Sequence, residues 1–149
     1  MKVLFAWLGT IALTALTAIS LAELSYAEFS YKPCPDMDQH VSIHNMTLSP
    51  DPIIGGQNLT LGLEANITRT IKRGAYVLGT AKYLFFTVPI PKQEACEYIK
   101  CPLTVGSINT TQVLKIPNDY PPGDYDVRLK GFNPDDSILF CYDGVITLA

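Results

Sequence analysis

The strongest constraint on the fold is a strict alternation of apolar and polar residues between Asn58 and Ile67. A period of two places successive side chains on opposite faces of a β-strand. One face then carries only aliphatic side chains, namely Leu59, Leu61, Leu63, Ala65 and Ile67. The segment is therefore predicted to be a half-buried strand whose second face is solvated.

Similar short runs occur along the rest of the chain, separated by proline and glycine. Further strands are predicted at Val41 and Ile43, from Ala75 to about Phe86, at 113–116, at 125–129 and over 138–148. Pro89 and Pro91 are expected to end the strand that begins at Ala75, and turns are expected at 50–56, 72–74, 121–123 and 133–136. Because no sustained helical period follows residue 27, these roughly seven strands predict an all-β fold, an antiparallel β-sandwich.

The composition limits both the size and the function of the protein. A chain of 149 residues fits one ordinary domain. Charged residues make up 17% and the formal net charge is −3, whereas nucleic-acid binding requires a clustered basic face. A small, β-rich binding protein with no nucleic-acid partner is therefore expected.

The N-terminus is typical of a secretory signal peptide. Lys2 precedes an apolar stretch from Val3 to Ala22, and small-x-small cleavage patterns end at Ala22 and Ala27. Cleavage after Ala27 divides the chain into a signal peptide, 1–27, and one domain, 28–149. The alternative is an uncleaved anchor, because about 20 apolar residues can span a bilayer.

Four cysteines, Cys34, Cys96, Cys101 and Cys141, lie in this domain. An even number behind a signal peptide indicates two disulfides, and four cysteines allow three pairings. The short interval favours Cys96–Cys101 as a local bridge, which leaves Cys34–Cys141 to join the two ends of the domain. A zinc site is the alternative, which the lack of a C-x2-C pair disfavours.

Four asparagines, Asn45, Asn58, Asn66 and Asn109, each begin an N-x-T motif and are predicted glycosylation sites. The alternation described above places Asn58 and Asn66 on the solvated face of their strand. Glycans at these positions are compatible with an undisturbed core.

Small side chains on the long strand suggest a cavity. Val77, Gly79 and Ala81 share their parity with Ala75 and Tyr83. If this parity faces inward, small residues leave space between sheets that normally pack about 10 Å apart, and a lipid site requires roughly 300–1,000 Å³ of mostly apolar space. The alternative is a filled core, in which side chains from the opposite sheet occupy that space: Tyr125, Val127, Leu129 and Tyr142.

No arrangement of residues points to catalysis or to a metal site. His40 and His44 lie about 13 Å apart on a strand, at roughly 3.3 Å per residue, so one ion cannot bridge them. The acidic pairs, Asp124 with Asp126 and Asp135 with Asp136, lie in or beside predicted turns, where solvated carboxylates are ordinary. We therefore predict no catalytic residue, no metal and no cofactor.

Several motifs, in a fixed order, resemble a known family. They are Leu48-Ser49-Pro50-Asp51-Pro52, Gly56-Gln57-Asn58-Leu59-Thr60, Gly74-Ala75-Tyr76-Val77, Cys96-x4-Cys101-Pro102-Leu103, Tyr120-Pro121-Pro122-Gly123-Asp124-Tyr125 and Leu139-Phe140-Cys141. Together they resemble the ML lipid-recognition domain, in its Niemann–Pick type C2 and phosphatidylglycerol/phosphatidylinositol-transfer branch.

The resemblance implies an immunoglobulin-like sandwich that holds one lipid between its sheets, with disulfides Cys34–Cys141 and Cys96–Cys101. It implies a secreted or endolysosomal, monomeric carrier that moves a sterol or phospholipid between membranes, with transient membrane contact and a membrane-bound acceptor. The expected lining residues are Val77, Gly79, Ala81, Tyr83, Phe86, Val88, Tyr120, Pro121, Tyr125, Val127, Leu129 and Tyr142. The competing hypothesis is an immunoglobulin-like recognition module that carries no lipid.

Two departures from the animal sterol carriers leave both lipid classes open. The chain lacks their third disulfide, and it has Val88 and Tyr142 at positions of their cavity aromatics. Near the proline-rich segment, Phe85, Phe86, Val88 and Ile90 are predicted to touch a membrane, with Lys82 and Lys92 meeting anionic headgroups. The alternative interpretation is core aromatics with ordinary surface lysines.

Overall fold

The structure, a computed structural model, describes residues 28–149, and the predicted signal peptide lies outside this range. It contains eight strands: β1 Ser30–Pro33, β2 Val41–Ser49, β3 Asn58–Ile67, β4 Tyr76–Tyr83, β5 Phe86–Glu94, β6 Gly106–Lys115, β7 Gly123–Phe132 and β8 Ile138–Leu148. One turn of 3₁₀ helix, Ala95–Glu97, follows β5. Within the described residues, no helix has the length and apolar character required to cross a membrane.

The strands form two antiparallel sheets. One sheet has five strands in the order β1-β8-β7-β4-β5, and the other has three in the order β2-β3-β6. Every strand pair is antiparallel. The predicted antiparallel β-sandwich is confirmed, with eight strands in place of about seven.

Local patterning was a good guide to most elements. β3 spans the alternating segment Asn58–Ile67, with the aliphatic face turned inward and the acceptor face turned outward. The turn at 133–136 is closed by a 2.9 Å hydrogen bond from the Asp136 N–H to the Asn133 carbonyl. Alternation and turn residues reflect conformational preferences of residues close in sequence, so they can be interpreted without tertiary information.

Two predictions about strands were wrong. The long strand from Ala75 is a hairpin of β4 and β5, and Pro89 and Pro91 lie inside β5 instead of ending a strand. β5 is the edge of its sheet, where a missing backbone N–H costs no ladder hydrogen bond. β1 was also missed, because four residues beside β8 carry no readable alternation.

Both predicted disulfides are present. Cys34 follows β1 and is bonded to Cys141 on β8, and Cys96 is bonded to Cys101 beside the 3₁₀ helix. The Cys34 N–H also donates to the Cys141 carbonyl at 3.0 Å. The first bridge therefore holds the short edge strand β1 against β8, and the second closes the segment that leads from β5 to β6.

The buried core is divided into two clusters. The first cluster has Val41, Ala65, Ile67, Ile71, Ala75 and Leu139 at its centre. The second cluster has Ile53, Leu59, Tyr125 and Leu148 at its centre. Since Leu59 and Ile67 lie at opposite ends of β3, the clusters occupy opposite ends of the sandwich.

Candidate functional site

The apolar residues between the two core clusters are less completely buried than the clusters themselves. On the inner face of β3, Leu59 is 5% exposed, Ala65 is 1% exposed and Ile67 is fully buried. Leu61, midway along the same face, is only partly buried and belongs to neither cluster. The sandwich is thus well packed at both ends and less well packed in the middle.

The same transition occurs on the neighbouring strands. We use the term central layer for the inward-facing apolar residues that are partly buried and belong to neither cluster. They are Met46, Leu61, Val77, Ile90, Leu129 and Tyr142. Ile90 pairs with Gly79, and Leu129 pairs with both Gly79 and Tyr142. The central layer therefore has four residues on the larger sheet and two, Met46 and Leu61, on the smaller sheet.

Tyr142 closes one side of the central layer. Its hydroxyl donates to the Val41 carbonyl at 3.0 Å and accepts from the Ile43 N–H at 3.0 Å. These bonds join β8 of the larger sheet to β2 of the smaller sheet. The tyrosine is thus both a wall of the region and a fixed connection between the sheets.

The opposite side of the central layer lies along β5 and is open. Phe86, Val88 and Ile90 share the inner face, because their partners on β4 are Tyr83, Ala81 and Gly79. Phe86 is nevertheless 67% exposed and Val88 46% exposed. Apolar side chains that face inward yet remain solvated define an opening at this edge of the sandwich.

The small residues of β4 do not all leave free volume. A Cβ at Gly79 would lie 2.6 Å from Leu129 Cδ2 and 3.2 Å from Ile90 Cδ1. The side chains of Leu129 and Ile90 therefore cover the glycine. Any larger residue at this position would displace those two side chains. This packing is consistent with the predicted inward parity of β4. The space next to Gly79 is occupied by the side chains of Leu129 and Ile90.

Four other predicted lining residues pack into the second core cluster: Ala81, Tyr83, Tyr125 and Val127. The Tyr83 and Tyr125 rings stack with centroids 4.7 Å apart. The Tyr125 hydroxyl donates to the Pro121 carbonyl at 2.7 Å, and burial raises the pKa of this phenol, so it remains a donor at neutral pH. These residues form a solid end wall, while Tyr120 lies on the surface, 48% exposed.

Three residues of the region were missed at the sequence level. Met46, Leu61 and Ile90 belong to the central layer, and Leu61 lies in the very segment that revealed β3. Alternation reports which face of a strand is buried, but it cannot report which position along that face lacks a partner across the sheets. Of the three, only Ile90 was singled out in the sequence, where it was predicted to touch a membrane and not to line the site.

The chemistry of the region is apolar and uncharged. Each inward-facing strand position between the two end clusters carries an apolar, amide or hydroxyl side chain in the described residues. Within residues 28–149, no group of three or more His, Cys, Asp or Glu side chains is suitable for a metal ion. The arrangement is suited to holding an apolar body by burial and to orienting it by a few hydrogen bonds.

A second concavity, of about 610 Å³, lies on the outer face of the larger sheet. It is lined by Lys82, Thr87, Asp126 and the ion pair of Arg128 with Asp143, whose Nε and Oδ1 atoms are 2.7 Å apart. Lys92, the other predicted headgroup contact, lies over the Tyr76 ring at 4.4 Å. These mixed charges are separated from the central layer by the sheet itself.

Two antiparallel sheets, a disulfide that holds the first strand to the last and a partly filled apolar layer define an immunoglobulin-like β-sandwich. The family model of the ML domain matches residues 28–148. The chain belongs to the ML domain family, as its motifs predicted.

Sequence relatives agree with this assignment. The phosphatidylglycerol/phosphatidylinositol transfer protein of Kluyveromyces lactis is 29% identical, over 97% of this chain and 95% of its own. The protein of the same name from Cryptococcus neoformans is 30% identical, over 77% of this chain and 68% of its own.

The structural neighbours show that the fold is shared. A Niemann-Pick type C2 protein from the Japanese carpenter ant has a TM-score of 0.65 at 16% identity, covering 80% of this chain and 99% of that one. Chicken MD-1, complexed with lipid IVa, has a TM-score of 0.54 at 17% identity, covering 80% of this chain and 88% of that one.

Proposed function

We propose that this protein binds one lipid between its sheets and transfers it between membranes. The observation that carries the proposal is the central layer, which is apolar, only partly buried and open along β5. Transfer of an apolar chain from water to such a site is favourable by about 0.8 kcal/mol per buried CH₂. The names of the fungal relatives and the lipid on MD-1 support the same function. The activity is noncovalent and needs no catalytic residue or cofactor.

The lipid body occupies the central layer in this proposal. Val77, Gly79, Leu129 and Tyr142 form the larger-sheet side, and Leu61 faces them from the smaller sheet. Phe86 and Val88 flank the opening, and the remaining predicted lining residues form the end wall and its outer rim: Ala81, Tyr83, Tyr120, Pro121, Tyr125 and Val127. A sterol body and phospholipid acyl chains are both apolar, so either can occupy an apolar, uncharged site of this kind.

Lipid analysis tests the proposal directly. The protein is purified from a secreting host, extracted with solvent and analysed by mass spectrometry, and the delipidated chain is then offered vesicles containing a sterol or phosphatidylinositol. We expect about one lipid per chain and uptake of at least one class. A chain that carries no lipid and extracts none from either vesicle would refute the carrier and favour an immunoglobulin-like recognition module.

The turn between β4 and β5 is proposed as the membrane contact. Leu84, Phe85 and Phe86 are consecutive, and they are 65%, 93% and 67% exposed. Contiguous exposed apolar residues mark interaction sites, and this group adjoins the opening along β5. A bilayer contacted here would receive the lipid without passing it through water.

Replacement of one ring at this turn tests the membrane contact. Phe85→Ser should leave the melting temperature unchanged, since the ring is almost wholly solvated, and should reduce cosedimentation with vesicles and the rate of lipid transfer. Val113→Ser, at a 62% exposed position on the outer face of β6, is the matched control. Equal transfer by the two variants would show that the turn is not the contact.

We propose that the chain follows the secretory route and is glycosylated, which its two disulfides and four N-x-T motifs support. All four acceptor asparagines lie on the outer face of the smaller sheet; Asn45 and Asn109 are both paired with Glu64, and Asn58 and Asn66 lie on β3 itself. Glycans on this face lie away from the central layer. N-terminal sequencing should find residue 28 first, and glycosidase treatment with peptide mapping should find sugar at these asparagines; an unmodified chain beginning at Met1 would refute both.

We propose that the carrier is a monomer that hands its lipid to an acceptor membrane or a membrane-bound acceptor. The edge strand β5 carries Pro89, Pro91 and Lys92, and prolines and lysines on an edge prevent pairing with another sheet. Light scattering after gel filtration should give the mass of one chain, and a dimeric mass at micromolar concentration would contradict the proposal.

A further inference from the structure

The opening along β5 carries a set of uncharged polar residues: Gln93 on β5, Tyr98 in the disulfide-closed segment, and Thr110 and Gln112 on β6. Gln112 Nε2 donates to the Tyr98 carbonyl at 2.6 Å and to Thr110 Oγ1 at 3.3 Å. The Tyr98 hydroxyl donates to Gln93 Oε1 at 3.2 Å. We call these four residues the polar set. It joins the two sheets at the side opposite Tyr142.

The register places the polar set beside the central layer. Gln93 pairs with Val77, and Gln112 pairs with Leu61. Gln93, Thr110 and Gln112 are only partly buried, and Tyr98 is 36% exposed. An apolar body in the central layer would therefore present its adjacent polar end to these four side chains.

The polar set has unused hydrogen-bonding capacity. A glutamine carboxamide has two N–H donors and an acceptor oxygen, and a threonine hydroxyl both donates and accepts. Gln112 donates twice, while its oxygen accepts from no residue in the described part of the chain. Thr110 accepts from Gln112 and retains its own proton for donation. Gln112 and Thr110 therefore present one acceptor and one donor to a ligand.

The charge of the set restricts the ligand group. The set contains no Asp, Glu, His, Lys or Arg, and the charged residues of the adjoining segment, Glu94, Glu97 and Lys100, are exposed. A phosphate selects cationic donors such as Arg or Lys, whereas an alcohol both donates and accepts and needs no countercharge.

We propose that the polar set binds a hydroxyl group of the lipid cargo and makes the carrier select hydroxylated lipids. The inference rests on the proposed lipid-carrier function. The hydroxyl has two sources, the ring alcohol of a sterol or the polyol of a phospholipid headgroup, and both present the same chemistry to Gln112 and Thr110.

Two pairs of probes differ only in the hydroxyl. The first pair is a fluorescent sterol and its methyl ether, and the second is phosphatidylglycerol and phosphatidylmethanol with identical acyl chains and charge. Binding of each probe is measured for the delipidated natural chain and for the variants Gln112→Leu and Tyr98→Phe. Tyr31→Phe, on the far edge strand β1, is the control for loss of a tyrosine hydroxyl.

The natural chain should prefer the hydroxylated member of at least one pair by about 3- to 10-fold, the range of one net hydrogen bond. Gln112→Leu should abolish that preference by weakening only the hydroxylated probe, Tyr98→Phe should reduce it, and Tyr31→Phe should retain it. The pair that responds identifies the hydroxyl as that of a sterol or of a phospholipid.

Three results would overturn the inference. An absent preference in the natural chain, or one that survives both variants while all four probes still bind, refutes the polar set and leaves the carrier function intact. If no probe binds to the natural chain, the carrier function fails and the inference fails with it. Should Gln112→Leu not fold, Thr110→Val, which removes the hydroxyl assigned as the donor to the ligand, decides the test alone.

Discussion

The Tyr142 hydroxyl on β8 donates a hydrogen bond to the Val41 carbonyl on β2, across the two sheets, at 3.0 Å. β2 is an edge strand, so the backbone groups on its free side have no strand partner. The same hydroxyl accepts from the Ile43 N–H. One side chain therefore satisfies two backbone groups of the smaller sheet and holds that side of the sandwich closed.

Removal of this hydroxyl should destabilise the fold. Tyr142→Phe leaves a carbonyl and an N–H without their partner, which we expect to cost about 1–3 kcal/mol in the free energy of unfolding. Urea denaturation measures the difference. Tyr31→Phe, whose ring centroid lies 6.3 Å from that of Tyr142, is the control and should change stability by less than about 0.5 kcal/mol. Equal stability of the two variants would contradict the role of the inter-sheet bond.

Two leucines of β3 distinguish the packed end from the central layer. Leu59→Phe enlarges a residue that is 5% exposed within the second cluster, and overpacking there should cost about 1–3 kcal/mol. Leu61→Phe makes the same change two residues away, where we expect a smaller loss of stability and a large loss of lipid uptake. Unfolding of the delipidated variants and vesicle extraction are measured together. A Leu61→Phe protein as unstable as Leu59→Phe would indicate a filled core.

The two disulfides should contribute unequally to stability. They join residues separated by 107 and by 5 positions, so loss of denatured-state entropy predicts about 4.7 kcal/mol for the first and about 2 kcal/mol for the second. Cys34→Ala with Cys141→Ala should therefore lower the urea midpoint more than Cys96→Ala with Cys101→Ala. The reverse order would contradict the entropic account. Non-reducing peptide mapping of the natural chain should recover both pairs.

The ion pair on the outer face predicts sensitivity to acid. Arg128 donates to both carboxylate oxygens of Asp143 at 2.7 and 2.9 Å, and this hydrogen bonding lowers the pKa of Asp143. A carboxylate whose pKa is lower in the folded state adds stability above its unfolded pKa of about 3.9, and that stability is lost as pH falls through the folded pKa.

Urea midpoints between pH 7 and pH 2 test this prediction. The natural chain should lose stability more steeply below about pH 5 than Asp143→Asn does. Asp51→Asn, at an exposed loop position, should retain the natural slope. If Asp143→Asn and the natural chain show the same acid slope, the pair makes no pH-dependent contribution.

Much of the local structure was legible in the sequence. The bounds of β3, the outward position of Asn58 and Asn66, and the turns at 72–74 and 133–136 follow from alternation and from proline, glycine and asparagine placement. These signals act between residues close in sequence, so a single chain suffices to interpret them. The strand pattern and the cysteine spacing also predicted the sandwich and its disulfides, and the ML resemblance added the expectation of a lipid between the sheets.

Tertiary structure alone decided where the site lies. Leu59 and Leu61 are the same residue on the same face of one strand, yet the first is 5% exposed and the second faces the central layer. The difference arises from what the other sheet places opposite each, which local alternation does not encode. Pro89 likewise lies inside a strand because β5 has a neighbour on one side only. Periodicity in the sequence determined which face of each strand is apolar. The packing of one sheet against the other determined which residues on those faces are fully buried and which are only partly buried.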